Sequence, residues 1–302
     1  MKAGVDTLQA QPPPALRART ADFLELTKPR ITVLVVITTL AAFYLGTSGT
    51  VPLLPLCHAL VGTALVASGA SAFNMYLERN LDALMHRTTD RPLPSGRLQS
   101  GEALIFAVLI TSAGMVYLFV FVNHLTSLLS ALTFLSYLFL YTPLKTRTWL
   151  STIVGAVPGA LPVTMGWAAA TGGLSLGAWV LFGILFLWQL PHFYAIGWMH
   201  REDYARAGFP MLPVIDLTGF RTARQVNLYL LALLALTLLP ARIGLVGPIY
   251  LAGAVVLGIL FFIYGAVFSR KRDRKSDRKL FLASILYLPV LLALLIVDKV
   301  KS

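Results

Sequence analysis

Residues 51–97 read VPLLPLCHAL VGTALVASGA SAFNMYLERN LDALMHRTTD RPLPSGR. Val51 to Phe73 carries no acid and no Lys or Arg. At 1.5 Å per residue that run is long enough, as a helix, to cross the roughly 30 Å hydrocarbon core of a bilayer. From Asn74 onward the character changes. Glu78, Arg79, Asp82, Arg87, Asp90, Arg91 and Arg97 crowd together, with Pro92, Pro94 and Gly96 among them. A membrane-crossing helix therefore delivers a charged segment to one membrane face. Asn74, Glu78 and Asp82 are spaced by four, which puts them on one side of a helix in a stripe about 12 Å long.

Working outward, the same kind of apolar run recurs along the whole chain. Nine candidate spans lie near residues 29–46, 51–73, 103–122, 125–141, 150–170, 176–199, 226–241, 245–268 and 280–297. The composition agrees: 57% of the residues are hydrophobic, 13% are charged, and the mean hydropathy is +0.75. A soluble domain carries about 25% charged residues, so lipid is the solvent for most of this chain. The expected fold is an all-α membrane protein, a bundle of nine transmembrane helices with two functional cytoplasmic loops. Residues 23–302 form its single domain. Residues 1–22, rich in Gln, Pro and Ala with no apolar core, read as a disordered cytoplasmic tail rather than a signal peptide, which favours a bacterial source. The lone Cys57 excludes an internal disulfide and reads as a small buried hydrophobe.

The net charge is +12. All 25 Lys and Arg residues except Arg242, Lys299 and Lys301 precede or open the first span or follow the second, fourth, sixth and eighth. The positive-inside rule places those loops and the amino terminus in the cytoplasm, and the carboxyl terminus outside. The excess is a topology signal and an attraction to anionic lipid; it is no nucleic-acid footprint. The expected location is the inner (plasma) membrane of a bacterial cell.

Two cytoplasmic loops are more than connectors. An amide and two carboxylates along one face offer hard oxygen ligands, suited to Mg²⁺, which takes few protein ligands and completes its shell with phosphate and water. Arg87, Arg91 and Arg97 follow, and guanidinium matches phosphate as a bidentate fork. The second loop, residues 200–213, holds Glu202 and Asp203. Adjacent acids on a helix point about 100° apart, so at most one of the two faces a common ion. A transporter also places acids and a Pro191-type break in its spans, but here the acids stand at span ends and both clusters lie on one side. His192, near the cytoplasmic end of the sixth span, should face the interior, since a polar ring is costly in lipid.

These residues resemble the UbiA-type intramembrane prenyltransferases. The pattern Asn-x-x-x-Asp-x-x-x-Asp followed by Arg-Thr-x-x-Arg-Pro-Leu reads here as Asn74, Glu78, Asp82 and then Arg87-Thr88-Thr89-Asp90-Arg91-Pro92-Leu93. Within that superfamily the chain is most similar to the branch that farnesylates protohaem. Residues 26–32, 141–169, 188–193, 203–214 and 279–288 carry that match, which spans residues 24 to about 297. Glu78 stands where the pattern usually has Asp, and Asn80 where many members have a further acid; Glu keeps an oxygen ligand but adds a methylene.

The resemblance implies transfer of a farnesyl group from farnesyl diphosphate to a vinyl group of protohaem IX, with Mg²⁺ as cofactor. It implies Asn74, Asp82, Arg87, Arg91 and Asp203 as catalytic residues, and Asn74, Glu78, Asp82, Glu202 and Asp203 as metal ligands. Lys28, Arg30, Arg97, Lys145, Arg147, His192 and Tyr204 are the implied substrate contacts. Phe73, Tyr76, Trp167, Phe193 and Tyr194 are candidates to line a pocket for the allylic cation. Other haem-pathway membrane enzymes are the implied protein partners. A quinone-pathway aromatic prenyltransferase shares the first motif, but its second loop carries several acids at spacings of three and four.

Overall fold

The computed structural model describes residues 16–300. Among the described residues a short helix, α1 (Leu16–Leu26), precedes nine long ones. These are α2 (Pro29–Gly46), α3 (Leu53–Asp82), α4 (Ser100–Phe121), α5 (His124–Leu144), α6 (Ser151–Thr171), α7 (Leu176–Met199), α8 (Phe220–Arg242), α9 (Pro248–Lys271) and α10 (Arg274–Val297). Each of the nine is long and apolar enough to cross a membrane. Among the described residues there is no β-strand beyond a single bridge between Val246 and Lys299.

Neighbouring spans, consecutive or not, pack through small residues, the usual solution where lipid gives no hydrophobic drive. A side chain on Gly166 of α6 would collide with the backbone carbonyl of Thr39 in α2, and one on Gly114 of α4 with Val66 of α3. The most enclosed spans are α6 and α7, with 67% and 61% of their apolar windows buried, against 22% for α4. The pair α6–α7 is thus the centre of the bundle. Large apolar side chains such as Leu53, Ile105, Val116, Phe139 and Leu286 are exposed around the outside, where lipid covers them. Cys57, expected to be buried, is exposed on α3. Its apolar run faces outward there, so lipid contact takes the place of core contact.

Three element boundaries extend beyond the apolar runs, two of them for a capping reason. α3 continues past Phe73 to Asp82, so the polar stripe is helical, as its spacing of four requires. α8 begins at Phe220 because Asp216 Oδ2 accepts from both the backbone N–H (2.8 Å) and the hydroxyl (3.0 Å) of Thr222. α10 begins at Arg274 because Asp273 and Ser276 close a capping box. Burial raises the Asp216 carboxyl, but the Thr222 bonds outweigh it and hold it below the usual carboxylate range.

Of the tail expected to be disordered through residue 22, residues 1–15 lie outside the described residues, and residues 16–22 belong to α1. Arg97 grips both Asp22 and Glu25 of this helix, the latter at 2.8 Å. Arg19 pairs with Glu102, Phe23 packs on Phe106 with ring centroids 5.2 Å apart, and Leu26 is fully enclosed.

Candidate active site

The last turns of α3 bury three polar side chains: Asn74 (1% exposed), Glu78 (6%) and Asp82 (1%). Buried charge is costly unless paired, and each of the three has a cation. Lys28 Nζ donates to Asn74 Oδ1 at 2.9 Å. Lys145 Nζ donates to Glu78 Oε1 at 2.6 Å. Arg91 Nη1 donates to Asp82 Oδ2 at 2.7 Å. An oxygen-rich stripe of about 12 Å thus faces a matching row of cations drawn from three different segments.

Local backbone explains why these cations arrive. Lys28 sits between α1 and α2 with φ +47°, a left-handed conformation that a β-carbon disfavours. Pro29 at the first position of α2 fixes the next residue, and the sharp turn between the helices puts Lys28 against the stripe. Burial, with Arg91 and Lys145 nearby, brings the Lys28 ammonium down to about 7 against the pull of Glu78 and Asp82. Lys145 follows a π-helical turn in α5, Ser136–Tyr141. Such turns often mark functional sites. The turn sets Lys145 Nζ 4.6 Å from the centre of the Tyr141 ring and brings the Thr142 hydroxyl 3.5 Å from Asn74 Nδ2. Burial opposes the Lys145 charge, but Glu78 more than offsets it, and the ammonium is held above its ordinary value.

The two charged loops meet. The His86 backbone N–H donates to Asp203 Oδ1 at 3.3 Å, and Arg206 pairs with the same carboxylate. Burial raises the Asp203 carboxyl, but these donors outweigh it and hold it below the usual range. Arg87 Nη2 donates to the Tyr204 hydroxyl at 3.0 Å, with its guanidinium over that ring. Met85, Ala207 and Phe209 are buried together beneath them. The Thr88 hydroxyl donates to the Asp82 carbonyl at 2.7 Å, which turns the first loop back under the stripe.

Several expected contacts fall elsewhere. Arg97 is spent on Asp22 and Glu25 of α1, so it braces that helix instead of waiting for a substrate. Glu202 is exposed beside buried Asp203, as the 100° between adjacent helical positions requires. Arg30 and Arg147 are exposed at the ends of their segments. His192 lies between α7 and α10: its Nδ1 is 2.7 Å from Ser284 Oγ. Trp167 packs in the core against Gly177, near the opposite end of the bundle, and Tyr194 is fully buried against Tyr229. The sequence reading missed Thr142 as a partner of Asn74. The one available signal was Thr142-Pro143, since a missing N–H encourages a widened turn.

The donor set suits magnesium in kind. Among the described residues no three of His, Cys, Asp and Glu converge. Two carboxylates and an amide on one face, with Asp203 in the adjoining loop, match an ion that draws most of its shell from phosphate and water. The sequence profile of the UbiA prenyltransferase family matches residues 35–288. The chain belongs to the UbiA prenyltransferase family. It is therefore a multi-pass membrane protein and a prenyltransferase. It is 48% identical to the protoheme IX farnesyltransferase of Solibacter usitatus (strain Ellin6076), over 92% of this chain and 98% of that protein. It is 42% identical to the protein of the same name from Opitutus terrae, over 95% and 97%. The fold matches a solved digeranylgeranylglyceryl phosphate synthase with a TM-score of 0.79 at 17% identity, covering 94% of this chain and 99% of that one. A UbiA homolog from Archaeoglobus fulgidus bound to GPP and Mg²⁺ gives a TM-score of 0.65 at 14% identity, covering 91% and 99%.

Proposed function

We propose that this protein joins the farnesyl group of farnesyl diphosphate to a vinyl group of protohaem IX, in a reaction that consumes one water and releases diphosphate. The observation that carries the reading is the buried stripe Asn74–Glu78–Asp82 faced by Lys28, Lys145 and Arg91. Such a row holds a multiply charged anion where water is scarce, and charges placed before the reaction need no reorganisation during it. The relatives' shared name supports protohaem as the acceptor.

Asn74, Glu78, Asp82 and Asp203 are the oxygen donors for Mg²⁺, which when bound supplies charge neutralisation for the departing diphosphate. Lys28, Lys145 and Arg91 exchange their carboxylate and amide partners for phosphate oxygens, and Arg87 closes over them from Tyr204. The bond between C1 of the farnesyl chain and the diphosphate oxygen breaks, and its electron pair leaves with diphosphate. The vinyl terminal carbon bonds to C1. The cation left at the inner vinyl carbon takes a water oxygen, which gives up a proton, and the product carries a hydroxyethylfarnesyl side chain.

The protein lies in a bacterial plasma membrane with the stripe toward the cytoplasm, a reading that the positive-inside rule supports. The basic loop 269–279 meets anionic lipid, and the lipophilic product passes to another haem-pathway enzyme of the same membrane. The test is acceptor choice. Purified protein in lipid nanodiscs receives farnesyl diphosphate with an equimolar mixture of protohaem and 4-hydroxybenzoate. Prenylated haem alone supports the reading; prenylated benzoate overturns it in favour of the quinone-pathway alternative.

A further inference from the structure

Ser284 has a single hydrogen to give, and its Oγ donates that hydrogen to the Phe281 carbonyl at 2.6 Å. Towards His192, 2.7 Å away, Ser284 Oγ therefore acts only as an acceptor. With the hydroxyl hydrogen assigned to Phe281, Nδ1 is the ring nitrogen that donates to Ser284, and in the neutral ring the lone pair is on Nε2. Ser284 is itself fixed, fully buried, with its own carbonyl accepting from Trp188 Nε1 at 2.8 Å. The imidazole is clamped flat between Trp188 and Phe281, at centroid distances of 5.1 and 5.3 Å and interplanar angles of 19° and 24°. Among the described residues no hydrogen bond is made to Nε2, and the ring is only partly buried. The result is an imidazole held in one orientation with its Nε2 edge left for a ligand.

Its place in the bundle points inward. His192 shares a face of α7 with Leu181, Leu185 and Trp188. Leu181 and Leu185 meet α2 and α10 around a small central cavity near the outer end. His192 is further along the same face toward the cytoplasm. Asn74 precedes Asp82 by the same eight residues by which His192 precedes His200, about 12 Å of helix in each case. The loops that follow are tied together by the His86–Asp203 bond. Counted along their helices, the histidine and the start of the stripe each lie about 12 Å before these tied loops.

We propose that His192 Nε2 is an axial ligand to the iron of the substrate haem, with Ser284 as the positioning residue that fixes the tautomer. This rests on protohaem being the acceptor. A histidine that binds a metal through one nitrogen commonly donates its other N–H to a fixed oxygen, which sets the ring orientation and the basicity. That arrangement is built here before any substrate arrives. Ligation at the iron holds the porphyrin by its centre and leaves the vinyl groups at its rim free to reach the farnesyl carbon.

The test is optical and resonance Raman titration of the nanodisc protein with ferric and ferrous protohaem, without farnesyl diphosphate. His192→Phe keeps an aromatic ring between Trp188 and Phe281 while removing both the Nε2 lone pair and the Nδ1 bond to Ser284, and Ser284→Ala removes that bond alone. The wild type is expected to show an iron–histidine stretch in the ferrous form, and His192→Phe to lack it. Ser284→Ala should keep the stretch at a shifted frequency and weaken haem binding about 10-fold or more, the usual cost of losing such a partner. Haem uptake by His192→Phe with a spectrum identical to the wild type would overturn the ligand assignment while leaving protohaem as the acceptor intact. Failure of the wild type to take up haem at all would overturn both.

Discussion

Lys145 and Glu78 form an enclosed ion pair, 2.6 Å from Nζ to Oε1 with side chains 18% and 8% exposed. Lys145→Met leaves the Glu78 carboxylate buried with its main cation gone. Breaking a buried pair from one side costs about 3–5 kcal/mol. The same substitution removes a donor from the place where charge grows on the leaving group, worth roughly 10²–10³ in kcat. The double variant Lys145→Met/Glu78→Gln separates the two effects. It leaves no uncompensated charge, so stability should return to within about 1–2 kcal/mol of the wild type, while turnover stays low. The assay is thermal melting in detergent beside turnover per mole of folded protein. A double variant that melts like the wild type and also turns over at the wild-type rate would refute the reasoning. The pair would then be a strut between α3 and α5 and no part of the diphosphate site.

Arg91→Lys keeps the charge beside Asp82 but loses the planar fork, so turnover at subsaturating farnesyl diphosphate should fall about 10-fold or more; a wild-type rate would leave Arg91 as loop structure alone. Arg97→Gln should leave kcat near the wild type and release α1, read as faster proteolytic cleavage between residues 16 and 27. Loss of kcat with α1 still protected would return Arg97 to the site. Asp216 has a folded carboxyl below the ordinary aspartate value of 3.8. Its contribution is therefore present above that value and is lost as pH falls below it. Asp216→Ala should cost about 1 kcal/mol at neutral pH, typical of a lost cap, and flatten the acid limb of the melting profile; parallel profiles would contradict this.

The parts of the fold legible in the sequence are those set by one-dimensional patterns. α2 and α7 fall on the expected residues because apolar runs end abruptly at Pro29 and at His200. The stripe was legible because a spacing of four has one meaning on a helix. What the sequence hid is set by partners. Arg97 and Arg91 look alike as letters, yet one reaches two acids of α1 and the other reaches Asp82. α8 and α10 begin earlier than their apolar runs because Asp216 and Asp273 cap polar turns that read as loop. The π turn before Lys145 has no periodic signature, although it brings Tyr141 and Thr142 to the site. α1 was hidden because its stability comes from Arg97 and Phe106, distant in sequence.

The most direct test of the central claim is product mass. Purified protein and its Asp82→Ala variant are incubated in nanodiscs with farnesyl diphosphate, protohaem and Mg²⁺ in ¹⁸O-labelled water, and the extracted haems are weighed by mass spectrometry. The account predicts a haem heavier by one farnesyl group and one labelled hydroxyl from the wild type. It also predicts that chelating the magnesium removes this product and that the folded Asp82→Ala variant makes none. Unchanged haem from the wild type with farnesyl diphosphate left intact, or full conversion by Asp82→Ala at saturating Mg²⁺, would contradict it.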